Sequence, residues 1–316
     1  MAITLKNLAE ICGKDMSTVS RALRNDPRVK KATREIIQKT AADLGYQPNI
    51  MARNLSEGKT RTVWLIAPGL NALEREIAIS ASRCMNANGF DLAITLFHGD
   101  EDIHKRLLER LGQGVADGAI ILPTSPDSHI ELYENLISRN IPIVFMDRHI
   151  EKAKAATFTT DNASASEQLA NLCHRAGARE FVVLFNENNL ASKARKEGAA
   201  KRLQELGCPA IFEDKPIMNF SSKKIAILCN AQQTIQNFIS SHSTKSTGKD
   251  FVFGVFDEWQ GEPHPAKKAF VCMQDFEEMV KRACRKILAM IDKNASSRKQ
   301  IIKIPPLEFK TIKRSF

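Results

Sequence analysis

Apolar positions in the first sixty residues recur at helical spacing in three short blocks, whereas from Thr62 onward short apolar runs alternate with helical patterns. Leu5, Leu8, Ala9 and Cys12 stand at i, i+3, i+4 and i+7 and predict a helix over 5–12, with Thr4 as its N-cap and Gly13 as its stop. Only Gly13 and Lys14 separate that helix from the next, over Asp15–Arg24, where Asp15 caps and Met16, Val19, Ala22 and Leu23 form the inner stripe. Two short helices joined so tightly must meet at a steep angle, which is helix-turn-helix geometry. A third helix is expected over 33–44, with Ile36, Ile37, Thr40, Ala41 and Leu44 facing inward and Gly45 closing it. Pro48 then precedes NIMARNLSEG, a stretch too short to be helical in isolation and able to order only on docking.

The remaining pattern predicts strands at 63–67, 90–97, 118–122 and 141–146, then at 180–185, 225–229 and 250–256. Helical periods fill the intervals: up to Gly89, then 102–112, 128–139, 162–176, 191–206 and 230–241, and a last one from Gln274-Asp275-Phe276 to about Asp292. Near-continuous apolar strands separated by helices imply parallel sheets covered on both faces. The fold class is therefore α/β, with a small all-α head followed by a body of two parallel-sheet subdomains.

Charge sharpens the reading of the head. The chain of 316 residues has a formal net charge of +10, and its first sixty residues hold 11 Lys/Arg against 6 Asp/Glu. The first sixty residues thus carry +5 and the other 256 the remaining +5, a balance that suits a polyanionic partner for the helix-turn-helix. The polar face of the second helix offers small hydroxyls, which allow close backbone approach, and Arg21 and Arg24, which suit a guanine edge. Seven scattered cysteines without CxxC spacing point to reduced thiols, and the seven histidines show no HExxH or Cys/His cluster, so no metal site is expected. No apolar run reaches membrane-spanning length and no secretory signal opens the chain, so a cytoplasmic, nucleoid-associated protein is expected. A Gly-rich phosphate loop and a nucleophile–base constellation are both missing; no cofactor is expected and the chain does not read as an enzyme.

The segment ITLKNLAEICG…MSTVSRALRND…VKKATREIIQKTAADLGYQPNIMARNL resembles the head and hinge of the lactose-repressor/galactose-repressor family of bacterial regulators. The matching positions include Thr18-Val19-Ser20-Arg21, Thr33-Arg34, Leu44-Gly45-Tyr46, Pro48-Asn49, Ala52 and Leu55. The resemblance implies that Met16, Ser17 and Arg21 read bases and that Thr4, Ser20, Asn25 and Thr33 lie at phosphates, with Thr18 on the same face. It makes Asn49–Leu55 a hinge helix in the minor groove, with Asn49 and Ala52 on it and Leu55 as the apolar wedge that kinks the duplex. Lys14 and Asp15 depart from the family, which usually has a small apolar residue and a serine there. The implied domains are a head at 1–46, a hinge at 47–61 and a periplasmic-binding-protein-like body at 62–316. Within the body, subdomain one would take 62–159 and 275–298, and subdomain two 160–274 and 299–316.

In that body a small effector, a sugar or related metabolite, would bind between the subdomains. The family's cleft positions carry over in part: Asp147 after a first-subdomain strand, Arg195 three residues before Gly198, Asn230 after IAILC, and Asp257. Phe256 stands where the family has the first of two acids, and Ala231 where it has another. The stretch between Phe212 and Ile225 is short for the strand and helix the family has there, so the second subdomain reads as shortened and the pocket as altered or partly lost. The expected partners are double-stranded operator DNA, the effector and a second copy of the chain. The absence of a leucine-heptad tail after the last strand leads us to expect a dimer rather than a tetramer. The expected function is a transcription regulator, a repressor in the first instance, whose DNA affinity the effector modulates. Two alternatives stay open: the same regulator with no small-molecule effector, and a cytoplasmic sugar-binding protein or enzyme.

Overall fold

The computed structural model describes residues 3–47, 58–185, 190–212, 221–241, 248–257, 259–263 and 265–313. It divides into two compact units, Met1–Thr60 and Arg61–Phe316.

The first unit contains α1 (Leu5–Ile11), α2 (Met16–Leu23) and α3 (Lys31–Asp43). Thr4 caps α1 through a reciprocal box with Asn7, and Asp15 caps α2. Gly13 and Gly45 take the positive φ that each chain reversal needs. Leu8, Ala9, Val19, Ala22, Val29, Ile37 and Ala41 form the shared core. Parts of the expected stripes do not reach it. Ile36, Leu44 and Met16 are 64%, 37% and 49% exposed. Only one narrow face of each helix fits so small a core, and Ile37 with Ala41 already fills the α3 share. The hinge residues Asn49, Ala52 and Leu55 lie outside the described residues.

The second unit holds two six-stranded sheets. The first has β1 (Thr62–Ala67), β2 (Asp91–Leu96), β3 (Gly118–Ile121), β4 (Ile143–Met146), β5 (Ala156–Thr160) and β11 (Gln300–Ile304) in the order β11-β5-β4-β3-β1-β2. All its pairings are parallel. Alternation along β1 splits its neighbours. Val63 and Leu65 pack towards α4 (Ala72–Ala87) and α10 (Phe276–Ile291), while Trp64 and Ile66 pack towards α5 (Glu101–Gly112) and α6 (Ile130–Ser138).

The second sheet has the order β12-β10-β9-β8-β6-β7. Its strands are β6 (Glu180–Leu184), β7 (Ala210–Ile211), β8 (Lys224–Cys229), β9 (Asp250–Phe256), β10 (Lys268–Met273) and β12 (Glu308–Lys313). Every pairing is parallel except β10 with β12. α7 (Asn162–Arg175) and α8 (Leu190–Glu205) cover one face and α9 (Gln232–Ser241) the other. α8 crosses α7 at Gly198, where a β-carbon would collide with the Ala163 carbonyl.

The expected subdomain boundary at 298/299 is corrected. Residues 300–304 pair with β5 and stay in the first sheet, and the chain crosses only at Pro305-Pro306. Proline lacks the N–H a ladder needs, so the pair ends β11 and releases β12 to the other sheet. The strands β5, β7 and β10 were not foreseen. β7 supplies an edge strand just before the stretch read as too short; residues 213–220 of that stretch lie outside the described residues.

Candidate DNA-reading helix and interdomain cleft

On α2 the cap organises the polar face. The Thr18 backbone N–H and hydroxyl donate to Asp15 Oδ1 and Oδ2 at 2.9 and 2.8 Å, and Ser17 Oγ donates to Oδ1 at 2.5 Å. The Ser17 and Thr18 donors hold the Asp15 carboxyl well below the usual carboxylate range, so it stays an anion. Thr4 and Thr18 are thus engaged in caps, and Ser17 must let go of Asp15 before it can donate elsewhere. Asn25 takes a left-handed turn at φ 58 after α2, and its side-chain oxygen accepts from Gln38 Nε2 at 2.8 Å. Gln38 also donates to the Ala22 carbonyl at 3.0 Å and so fixes the end of α2 against α3. Sequence reading passed over Gln38 because a polar residue on a helix carries no signal of the carbonyl it will meet.

Met16 and Ser17 are exposed, and Arg21, Ser20 and Thr33 are half-exposed. Met16 was counted as core and also as a base reader; its exposure favours the second role. The Arg21 guanidinium helps to hold Asp26 in its anionic form, after the larger effect of the Arg28 pair. Among the described residues the Arg21 guanidinium makes no hydrogen bond, and it is half-exposed.

The five cleft positions are brought together at the carboxyl ends of the two sheets. Asp147, at φ 62 after β4, receives the Thr159 hydroxyl on its carbonyl at 2.8 Å, and its carboxylate lies 3.3 Å from Arg148 Nε. Arg195, on α8, is buried. Its Nε donates to Asn162 Oδ1 at 2.7 Å and a terminal nitrogen to Asn230 Oδ1 at 3.0 Å. Its guanidinium lies 3.7 Å from the centre of the Phe256 ring. Desolvation draws the Arg195 value down, against the attraction of Asp257 and Asp147. Asn230 in turn donates to Ser192 Oγ at 2.5 Å.

A second chain of contacts ties the sheets to each other. The Thr160 hydroxyl donates to Gln274 Oε1 at 2.5 Å, and the Gln274 amide donates to Asp257. Thr160 ends β5 of the first sheet and Gln274 follows β10 of the second. Asn162, Ser192, Thr160 and Gln274 were missed by sequence reading. Thr160 ends β5, and Asn162 and Gln274 follow β5 and β10, strands that the apolar pattern did not mark; Ser192 lies at the start of α8. The arginine is not presented as an open receptor: one face is stacked on Phe256 and two nitrogens are bonded to asparagines.

Residues 4–49 match the family described as bacterial regulatory proteins, lacI family, and residues 75–245 match periplasmic binding proteins and sugar binding domain of LacI family. The HTH-type transcriptional regulator RegA of Clostridium saccharobutylicum is 28% identical over 245 residues, 76% of this chain and 70% of that protein. PtxS of Pseudomonas putida is 27% identical over 186 residues, 58% of this chain and 53% of that protein. Among solved structures, the Lac repressor dimer bound to operator and the anti-inducer ONPF superposes with a TM-score of 0.77 at 17% identity, over 99% of this chain and 98% of that one. The Cra regulator of Pseudomonas putida with fructose 1-phosphate gives 0.66 at 18% identity, over 81% and 100%.

Proposed function

Because the chain belongs to the lacI family of bacterial regulatory proteins, we propose that it is a sequence-specific transcription regulator, a repressor, that binds a pseudo-palindromic operator as a homodimer. The observation that carries this reading is α2. Its polar face, with Met16, Ser17 and Arg21, points away from a closed three-helix core in a head of net positive charge. Met16, Ser17 and Arg21 take the base-reading role; Ser20, Asn25 and Thr33, with the capping Thr4 and Thr18, lie at the backbone. Asn49, Ala52 and Leu55 act from the hinge. The head takes 1–46, the hinge 47–61 and the body 62–316.

A second copy would cover apolar surface on the first subdomain, where Leu70, Ile79 and Ile94 are 46%, 42% and 44% exposed. Among the described residues no helix is long and apolar enough to cross a membrane. The reading places the protein in the cytoplasm on DNA, with no catalytic role.

The cleft favours a small effector that competes with existing contacts. The similar Cra regulator is in complex with fructose 1-phosphate and the Lac repressor dimer with the anti-inducer ONPF, which makes a sugar derivative the first class to test. The engagement of Arg195 with Asn162, Asn230 and Phe256 supports the second reading as well, in which the cleft takes no effector. A thermal-shift screen with sugars, sugar phosphates and nucleobases separates them: one strong hit establishes the effector, and none favours the second reading. The regulator reading itself is tested by mobility shift on genomic fragments. Binding must weaken steeply with salt as counterions are released, and a chain that binds no DNA in a salt-sensitive way would refute it.

A further inference from the structure

Glu101, His104 and His129 converge at the strand-end edge of the first sheet, where no sequence spacing connected them. Glu101 and His104 lie one turn apart at the start of α5. His129 immediately precedes α6 and is held in the left-handed conformation at φ 53 and ψ 32, which is uncommon for a residue with a β-carbon. Glu101 Oε2 lies 2.9 Å from His129 Nε2 and 3.3 Å from His104 Nδ1. One donor atom from each of the three falls within 4.8 Å of the others.

Two of the three side chains are braced so that a donor faces the others. Thr124 Oγ1 donates to the second Glu101 oxygen at 2.7 Å, leaving Oε2 directed at the imidazoles. Tyr133, fully buried, has its hydroxyl 2.9 Å from His104 Nε2, so Nδ1 is the nitrogen turned inward. Phe97 stacks on the same imidazole with centroids 4.3 Å apart. His129 Nε2 is buried, and despite its closeness to Glu101 it lacks the alignment of a hydrogen bond. A buried nitrogen beside a carboxylate, without a proton shared along the line between them, is an arrangement that a cation would complete.

We propose that Glu101, His104 and His129 bind a divalent transition-metal ion, with Zn²⁺ the best match. Two imidazoles and one carboxylate suit zinc and its neighbours, whereas Mg²⁺ and Ca²⁺ take oxygen ligands. Separations of 2.9 and 3.3 Å between donors are those of ligands each about 2.0–2.1 Å from one ion. Tyr133 and Thr124 serve as the outer hydrogen-bonding partners that orient metal ligands. The Glu101 side chain is 40% exposed, which leaves an open side for water. The ion ties the start of α5 to the start of α6, on the same edge from which Asp147 reaches the cleft. This proposal departs from the sequence expectation of no metal site. Motif searches look for donors close in sequence, whereas here the β3–α6 loop brings His129 back to α5.

The test uses the full chain, stripped with a chelator, dialysed and titrated with ZnSO₄ by calorimetry, with Co²⁺ absorption as a second probe. One ion per chain should bind, the stripped protein should melt higher once zinc is restored, and the Co²⁺ spectrum should lack thiolate charge-transfer bands. His129→Asn, chosen because asparagine tolerates the left-handed backbone, and Glu101→Gln should each weaken zinc binding by about a hundredfold or more while melting like the stripped wild type. His174→Gln, in the second subdomain, should bind as wild type. No zinc binding, thiolate bands, or binding that survives both substitutions would overturn the proposal.

Discussion

The head and the cleft both carry polar clusters, but they use them in opposite ways. On α2 the cap consumes Asp15 and Thr18, while Met16 is exposed and the half-exposed Arg21 guanidinium makes no hydrogen bond among the described residues. In the cleft, Arg195 is satisfied from within by Asn162, Asn230 and the face of Phe256. A surface that keeps its donors unspent is ready for a partner on first contact. A site whose donors are bonded to one another must exchange those bonds, and the gain from a ligand is only the difference. DNA recognition is therefore built into the head, whereas effector recognition depends on what can displace or join the Arg195 cluster.

The largest effect expected from breaking this contrast is at Phe256, which is fully buried. Phe256→Ala should destabilise the body by about 3–5 kcal/mol in denaturant unfolding, while uncovering one face of Arg195. If the cleft is held closed by that stack, the variant should also respond to ligands in the thermal-shift screen that leave the wild type unmoved. Next is Leu8→Ala in the head core, with an expected cost of roughly 2–5 kcal/mol. In so small a unit this should abolish DNA binding and leave the unfolding of the body unchanged.

Arg21→Ala should act on recognition alone. It should cost about 1–3 kcal/mol in operator binding and relax the preference at one base position, with no change in melting. A uniform loss across all sequences would reassign Arg21 to a phosphate. The smallest effect is in pH. Asp15 and Asp26 are both held below the usual carboxylate range, the first by Ser17 and Thr18 and the second by Arg28. Their folded values lie below their unfolded ones, so the stability they lend is present above about pH 4 and is lost as pH falls below it. Acid titration of helical circular dichroism should show this loss, and Asp15→Ala should make the dependence shallower.

The head was legible because its information is local. Caps, glycine stops and 3.6-residue spacing lie within a few positions of each other, and Thr4, Asp15 and Gly13 took the expected roles. What failed there was the width of the stripe, since periodicity cannot say how much core three short helices share; Ile36 and Leu44 were assigned inward and lie outward. In the body, strong apolar runs such as those of β1 and β9 were plain. β5, with sequence ATFTT, was not, because its threonines lack the apolar mark of a buried strand; Thr159 and Thr160 are buried by giving their hydroxyls to Asp147 and Gln274. The sheet to which β11 belongs depends on a pairing partner about 140 residues earlier, and no local pattern encodes that. The cleft residues found through the family pattern do cluster, but their mutual bonds were invisible until the strand ends were placed.

The most direct test of the central claim is selection of genomic fragments bound by the wild-type chain, followed by footprinting. The account predicts protection of a pseudo-palindrome whose half-sites lie about one helical turn apart, with the base preference at one position in each half relaxed by Arg21→Ala. Recovery of no preferred sequence, or a footprint indifferent to Arg21, would contradict it.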